Sequence, residues 1–311
     1  MSAGWVAATV RAKAMARRRL GAGAARRLAA APGLADALSM LAGTAYARAA
    51  APGTTLVEAE QAVAAAEIWQ LRVLSGWLPR SAIGLARALG ARYELANIEA
   101  HARAVATPGH RQPYYELGSL AMSWPRIAAT ISVSELRAAL VASPWGDPGQ
   151  ASAETLHDIL VFRWLRMVAA EAPQATEWVS GAAVLVAAKQ LLAAASGPGE
   201  GVVRAAVPLI GSDWVRTRSV PDLRAATPIP GRWVLDGVGG VAELWRAEAA
   251  LAARIESDGF RLLRQGTPGV DPILGAVAVL AVDGWRVRVA LGDAAYGAGP
   301  GEVLDVLDVM A

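Results

Sequence analysis

The sequence predicts an all-α protein, and its composition is the first reason. Of its 311 residues 54% are hydrophobic but only 6% are aromatic, so alanine supplies much of the apolar content. Alanine has the highest helix propensity, and the aromatic residues that favour strands are scarce. The eleven tryptophans against two phenylalanines indicate large apolar anchors among small side chains, where helices can approach closely.

A loose internal repeat is the second reason. A segment rich in alanine and arginine is closed by a glycine four times, at Gly21, Gly109, Gly197 and Gly297. The first two intervals are 88 residues long and the third is 100. A repeat of this kind decides the architecture of the whole chain. Three full repeats and the beginning of a fourth predict a closed arrangement, in which the last segment completes the first repeat.

A second marker follows the first three closing glycines. It consists of a leucine, a small hydroxyl residue and a bulky apolar residue, and its copies are Leu41/Thr44/Tyr46, Leu140/Ser143/Trp145 and Leu223/Thr227/Ile229. The two markers together predict three helical repeats, which are residues 1–92 completed by 283–311, residues 93–181 and residues 182–282.

The individual helices follow from local patterns. Residues 8–30 form a basic helical segment with Leu20 and Leu28 on its apolar side. Thr55 and Glu58 have the spacing of a capping box, which predicts that a long helix begins there. Further helical patterns cover residues 36–48, 56–77, 81–92, 95–109, 151–173, 174–197 and 240–266.

The helix of residues 95–109 has two faces. One is apolar and carries Leu95, Ile98, Ala102 and Val105 at helical spacing. A neighbouring polar strip carries Glu94, Asn97 and His101. We expect Glu94 and Glu99 to be solvated charges rather than a general acid–base pair, and Trp145, between a proline and a glycine, to anchor a turn.

Residues 276–291 carry conflicting signals. Apolar residues alternate around Asp283–Gly284, and this dipeptide is a strong hairpin signal. Local pattern therefore favours two strands, against the helical habit of the other repeats.

Positive charge is concentrated at the N-terminus. Residues 1–35 contain no acidic residue and seven basic ones, which are Arg11, Lys13, Arg17, Arg18, Arg19, Arg26 and Arg27. Such a segment can bind an acidic protein or an anionic membrane surface, or be a solvated helix face. No nucleic-acid motif accompanies the charge, so we expect no nucleic-acid partner. The candidate partner interface is Arg11, Lys13, Arg17, Arg18 and Arg19.

The sequence contains no motif of catalysis or cofactor binding. There is no cysteine, no phosphate-binding loop and no nucleophile elbow, and the three histidines, His101, His110 and His157, lack metal-site spacing. We therefore predict no catalytic, cofactor-binding or metal-binding residue. The longest apolar runs fall short of the ~20 residues that span a membrane, and Arg26 and Arg27 interrupt any export signal, so we expect a cytoplasmic protein with no transmembrane segment.

Three stretches resemble the C subunit (also called d) of V-type and archaeal-type ATPases. The first lies near the N-terminus and consists of two segments, 9-TVRAKAMARRRL-20 and 37-ALSMLAGTAYA-47. The second is 93-YELANIEAHARAVATPG-109, and the third is 271-DPILGAVAVLAVDGWRVRVALGDAAYGAGPGEVLDVL-307. The resemblance spans nearly the whole length, although residues 146–240 match only by pattern.

The resemblance implies three similar helical subdomains in a pseudo-threefold funnel. It also decides the conflict at 276–291 in favour of two helices broken near Asp283–Gly284. Proteins of that family are non-catalytic rotor subunits of the central stalk, without cofactor, that sit on the membrane ring of proteolipid subunits and receive the central shaft during ion transport. The alternative is a helical enzyme or ligand-binding protein with an unrecognised site.

Overall fold

The computed structural model describes residues 3–107, 109, 113–149, 153–192 and 197–309, and His110 lies outside them. All regular structure in these ranges is helical, which confirms the all-α class. The α-helices are α1 (Ala3–Arg17), α2 (Ala22–Ala29), α3 (Leu34–Met40), α4 (Leu56–Ser75), α5 (Ile83–Ala106), α6 (Trp124–Ile127), α7 (Val133–Val141), α8 (Ala153–Glu171), α9 (Thr176–Leu192), α10 (Glu200–Ile210), α11 (Val220–Ala226), α12 (Ile229–Arg232), α13 (Leu244–Arg264), α14 (Val270–Tyr296) and α15 (Glu302–Val309).

Short 3-10 helices connect several of these elements. They are Ala47–Ala50, Arg80–Ala82, Gly118–Leu120, Pro173–Ala175, Asp213–Arg216, Trp233–Leu235 and Val241–Glu243. The predicted capping box is confirmed, since the Thr55 hydroxyl accepts from the Glu58 amide and the Glu58 carboxylate accepts from the Thr55 amide.

The chain forms two compact units. The terminal unit contains the residues up to Ala82 together with those from Ala249 onward, and the middle unit is Ile83–Glu248. The predicted repeat boundaries after residues 92, 181 and 282 fall inside α5, α9 and α14. The pseudo-threefold funnel stays a prediction.

The core of the terminal unit joins the two ends of the chain. The long helix α14 packs against α1, α2, α3, α4 and α15. Leu28 and Leu41 share one buried cluster with Leu291, Leu304 and Leu307, and Leu20 packs against that cluster. The C-terminal helices therefore lie against the N-terminal helices near the residues that the repeat pattern indicates.

The predicted helix break near Asp283–Gly284 is wrong, and so is the local hairpin signal. Helix α14 runs without interruption from Val270 to Tyr296. Asp283 is fully buried, and its carboxylate accepts hydrogen bonds from the Leu20 amide (2.8 Å) and the Gly21 amide (2.7 Å), immediately before α2. A Cβ at Gly284 would collide with the Glu67 carboxylate. Both residues therefore serve packing between helices rather than a turn.

The core of the middle unit is built around α5 and α8, which pack against each other. The apolar face predicted for α5 is confirmed, because all four of its residues lie in or against one cluster with Ile127, Leu140, Trp145 and Leu160. Trp145 is fully buried in the turn after α7, as expected. Gly231 of α12 approaches α9 so closely that a Cβ there would lie 2.8 Å from the Ser180 carbonyl oxygen.

A buried carboxylate holds each unit together in the same way. Glu94 of α5 is 1% exposed, so the expectation of a solvated charge is wrong. Its carboxylate accepts from the Met122 amide (2.7 Å), the Ser123 amide (2.9 Å) and the Trp145 indole N–H (2.9 Å). In the terminal unit Asp283 accepts from two consecutive amides and from the Tyr46 hydroxyl (2.8 Å).

The second sequence marker positions the aromatic donor in both units. The Thr44 hydroxyl donates to the Leu41 carbonyl (2.7 Å) and accepts from the Tyr46 amide (3.1 Å). In the other copy the Ser143 hydroxyl makes the same two bonds, at 2.7 and 3.1 Å, to the equivalent positions before and after it. The leucine, hydroxyl and aromatic residues therefore form a turn that presents one ring donor to the buried carboxylate.

The third copy of the marker departs from this arrangement. Thr227 donates to the Arg224 carbonyl (3.1 Å), but Ile229 carries no polar donor. Residue 182 lies as far before Gly197 as Glu94 lies before Gly109, and it is an alanine. Two of the three predicted repeats thus share the carboxylate-centred contact.

Candidate partner interface

The basic N-terminal segment forms α1 and the turn after it. Ala8, Ala12 and Ala16 are buried, and α1 packs on α14 and α4 through this small-residue face. Val6 and Val10 are 44% and 64% exposed on the opposite side, since positions two residues from each alanine point about 160° away from it. The outer face of α1 is therefore apolar in its first half and basic toward its end.

Two of the five predicted interface residues point freely into solvent. The side chains of Arg17 and Arg18 are exposed, and neither has an ion pair or a hydrogen bond within the described part of the chain. They lie at the C-terminal end of α1, where cations favour the helix dipole. These two charges are available to a partner without breaking any internal contact.

The other three predicted residues also hold α1 in its own unit. The Lys13 ammonium donates to the Gln265 carbonyl (3.2 Å), and Arg19 donates to the Ala16 carbonyl (3.3 Å) while lying 4.6 Å from the Phe260 ring centroid. The Arg11 guanidinium lies 5.9 Å from the centroid of the Trp77 ring. These contacts leave part of each cation at the surface and fix its position.

Arg26, one of the seven N-terminal cations, is used inside the fold. Its guanidinium pairs with Asp308 (2.5 Å) and Asp305 (2.9 Å) of α15. The hydrogen bond that Arg26 donates to Asp308 raises the pKa of Arg26, against the opposing effect of burial.

Three exposed apolar side chains of this surface were not predicted, because the sequence analysis of the N-terminal segment considered only its charges. They are Val6 and Val10 on α1 and Trp77, which is 49% exposed beside Arg11. A helical wheel would find the two valines, because they lie opposite the alanines that pack inward. Trp77 becomes part of the surface only through folding. We call Val6, Val10, Arg11, Arg17, Arg18 and Trp77 the α1 surface.

The two histidines that the structure describes make contacts within the fold. His101 bonds through its two ring nitrogens to the Tyr114 hydroxyl (3.1 Å) and the Thr130 hydroxyl (2.9 Å), and burial lowers its pKa. His157 contacts the Glu99 carboxylate at 2.5 Å, and this hydrogen bond raises the pKa of the histidine. In the described ranges no three His, Asp or Glu side chains are grouped so that they could hold a metal ion.

Comparison with known proteins adds no family. Neither a protein-family model nor a curated protein matches this sequence. Among the described residues, no helix is both long enough and apolar enough to cross a membrane.

Proposed function

We propose that this protein is a non-catalytic rotor subunit of a V-type ATPase. In this role it joins the central shaft to the proteolipid ring, and it transmits torque between ATP chemistry and the transport of protons or sodium ions. It lies in the cytoplasm and is peripheral to the membrane through the complex. The resemblance of three stretches of the sequence to the C subunit family is the starting point.

The observation that carries the proposal is the α1 surface. It combines exposed valines of α1 and the neighbouring Trp77 with two arginines at the end of α1 that have no partner among the described residues. Aromatic and arginine side chains are enriched at protein interfaces, and exposed apolar groups gain free energy when a partner covers them. An acidic partner surface with an apolar centre complements this face.

Buried ion pairs support a role in transmitting force. Arg286 of α14 makes two hydrogen bonds to Glu256 of α13 (2.9 and 2.6 Å), with both side chains almost fully buried. Arg288 of α14 pairs with Glu67 of α4 (3.0 Å). Sliding one helix past another would leave a charge buried without its partner, which costs several kcal/mol. The terminal unit is therefore resistant to rearrangement, as a rotor part requires.

Reversing the charge of the two free arginines tests the proposal. We expect the Arg17→Glu/Arg18→Glu variant to bind purified shaft subunits or proteolipid ring more weakly, by ten-fold or more at low salt. Exposed charges are screened over about 8 Å at physiological ionic strength. Wild-type binding should therefore weaken as salt is added, and the binding of the variant should respond much less. Surface plasmon resonance at several salt concentrations measures both effects.

The matched control carries the same change of charge elsewhere. Arg48 and Arg216 are exposed and unpaired within the described residues, so Arg48→Glu/Arg216→Glu should bind like the wild type. Equal binding of all three proteins at low salt would show that α1 is only a solvated helix face.

The alternative function, a helical enzyme or ligand-binding protein, has one observation in its favour. This is a cavity in the middle unit that is lined by arginine side chains.

A further inference from the structure

The middle unit contains a cavity of about 520 Å³. Its walls are the turn after α7 (residues 144–149), one side of α8 around Ile159, and the first two turns of α10. Three arginines line it, and these are Arg163 and Arg166 of α8 and Arg204 of α10.

Arg163 is fixed in place by neutral groups. Its guanidinium donates to the carbonyl oxygens of Trp145 and Asp147, and no carboxylate of the described residues forms an ion pair with it. Burial lowers the pKa of Arg163; the Asp147 charge opposes this effect, and repulsion from Arg166 and Arg204 adds to it. Arg166 and Arg204 are therefore close enough to Arg163 to repel its charge.

Neither of the two carboxylates in the cavity wall forms an ion pair with Arg163 or Arg166 within the described residues. Asp147 makes two hydrogen bonds to Arg137, at 2.8 and 2.9 Å, and accepts from the Gly149 amide. Glu200 pairs with Arg204 (2.9 Å), but both side chains are more than 70% exposed, so this pair is weak. The Arg166 side chain has no partner in the described part of the chain. The cavity thus retains an excess of positive charge.

Helix α10, which forms the third wall, adds to the positive electrostatic potential of the cavity. Helix α10 has eleven residues and begins after Gly199, whose missing side chain provides no cap for the first turn. The amide groups at a helix N-terminus carry a partial positive charge and attract anions. Gly201 in this first turn lets α10 pack closely on α8, because a Cβ there would lie 3.0 Å from the Ile159 side chain.

We propose that this cavity binds a phosphate dianion between Arg163, Arg166 and Arg204. Planar guanidinium groups form paired hydrogen bonds with phosphate oxygens, and a bound dianion offsets the repulsion that Arg166 and Arg204 exert on Arg163. The volume has room for a small organic group on the phosphate, so the ligand is inorganic phosphate or a small phosphomonoester. This site is separate from the α1 surface, and the rotor function neither requires nor excludes it.

Calorimetric titration of the full chain tests the site. The probes are inorganic phosphate and glycerol 3-phosphate, each at constant ionic strength balanced with chloride. We expect one saturable site per chain, and at least a ten-fold weaker affinity in Arg166→Gln and in Arg204→Gln. The control is Arg216→Gln, which removes an exposed and unpaired cation outside the cavity wall and should bind as the wild type does.

The two probes distinguish the sources of the phosphate group. Tighter binding of inorganic phosphate identifies the free ion, and tighter binding of glycerol 3-phosphate identifies an ester. The proposal is overturned if neither probe saturates, or if Arg166→Gln and Arg204→Gln bind as tightly as Arg216→Gln. Circular dichroism melting of each variant checks that a loss of binding is not a loss of folding.

Discussion

Two buried carboxylates stabilise the two units separately through nearly identical contacts, Glu94 within the middle unit and Asp283 within the terminal unit. Each accepts hydrogen bonds from two consecutive backbone amides and one aromatic side chain. A hydrogen bond to a charged group contributes more than one between neutral groups. Replacement of Asp283 by Asn should therefore cost about 3 kcal/mol of unfolding free energy.

Urea denaturation of three proteins measures this effect. Tyr46→Phe removes only the hydroxyl donor to Asp283, and we expect it to cost about 1 kcal/mol. A wild-type unfolding free energy for Asp283→Asn would mean that this carboxylate does not hold α14 against the start of α2.

His157 should make stability depend on pH near neutrality. Its pKa is raised in the folded chain by the hydrogen bond to Glu99. The His157–Glu99 contact therefore contributes fully to the free energy of unfolding below the pKa of an unfolded histidine, about 6.5. This contribution is lost as the pH rises through the raised pKa of the folded state. His101 has a lowered pKa and acts in the opposite sense.

Denaturation between pH 5.5 and 8.5 tests this assignment. Relative to the wild type, His157→Gln should lose stability at the acidic end and little at the alkaline end. A constant difference between the two proteins across the range would contradict a role for the Glu99 contact.

The sequence predicts the role of single residues correctly where that role depends only on neighbours within the same helix. The capping box of α4 and the apolar face of α5 depend on spacing alone, and both are confirmed. Glu94 was misassigned because a carboxylate on a helix is usually solvated. Its donors come from residues 122, 123 and 145, and only the folded chain brings them to α5.

At the scale of elements, the closing of the C-terminus onto the N-terminal helices makes α15 essential. Leu304 and Leu307 are 1% and 0% exposed within the core that contains Leu28 and Leu41. Burial of each leucine contributes about 1.5–3 kcal/mol, a large share of the 5–15 kcal/mol of a typical domain. A chain that ends at residue 300 should therefore unfold at a markedly lower temperature.

Point variants distinguish the stability lost with leucine packing from the stability lost by shortening the chain. Leu304→Ala/Leu307→Ala should reproduce most of the loss, while Val306→Ala, which changes a partly exposed side chain, should have a much smaller effect. Calorimetric melting compares them. A chain without α15 that melts cooperatively at the wild-type temperature would show that the first helices do not need this cover.

The error at α14 has a physical cause. Asp283–Gly284 favours a turn only when both residues are free to face solvent. Here the aspartate accepts hydrogen bonds from the start of α2, and the glycine makes room for Glu67 of α4. Contacts distant in sequence thus override a local preference, and no reading of residues 276–291 alone could find them.

For the whole molecule, the sequence repeat predicts three equivalent units, but the buried carboxylate contact is found in only two of them. The carboxylate-centred turn occurs twice, while the third copy has Ala182 and Ile229 at the corresponding places. Spacing can reveal that segments are related, but it does not reveal whether each copy keeps the side chains that make the contact. The prediction of a threefold funnel therefore rests on the resemblance and on the markers.

Ion transport by a reconstituted V-type ATPase tests whether this protein acts as its rotor subunit. Vesicles would contain the membrane sector and the catalytic sector from the source organism of this chain, with or without the purified protein. ATP-driven ion uptake would be followed with a fluorescent pH indicator or with radioactive sodium. We expect ATP hydrolysis with little transport when the protein is absent, and coupled transport when the wild type is added but not when Arg17→Glu/Arg18→Glu is added. Full transport without the protein, or equal restoration by the variant, would contradict this role.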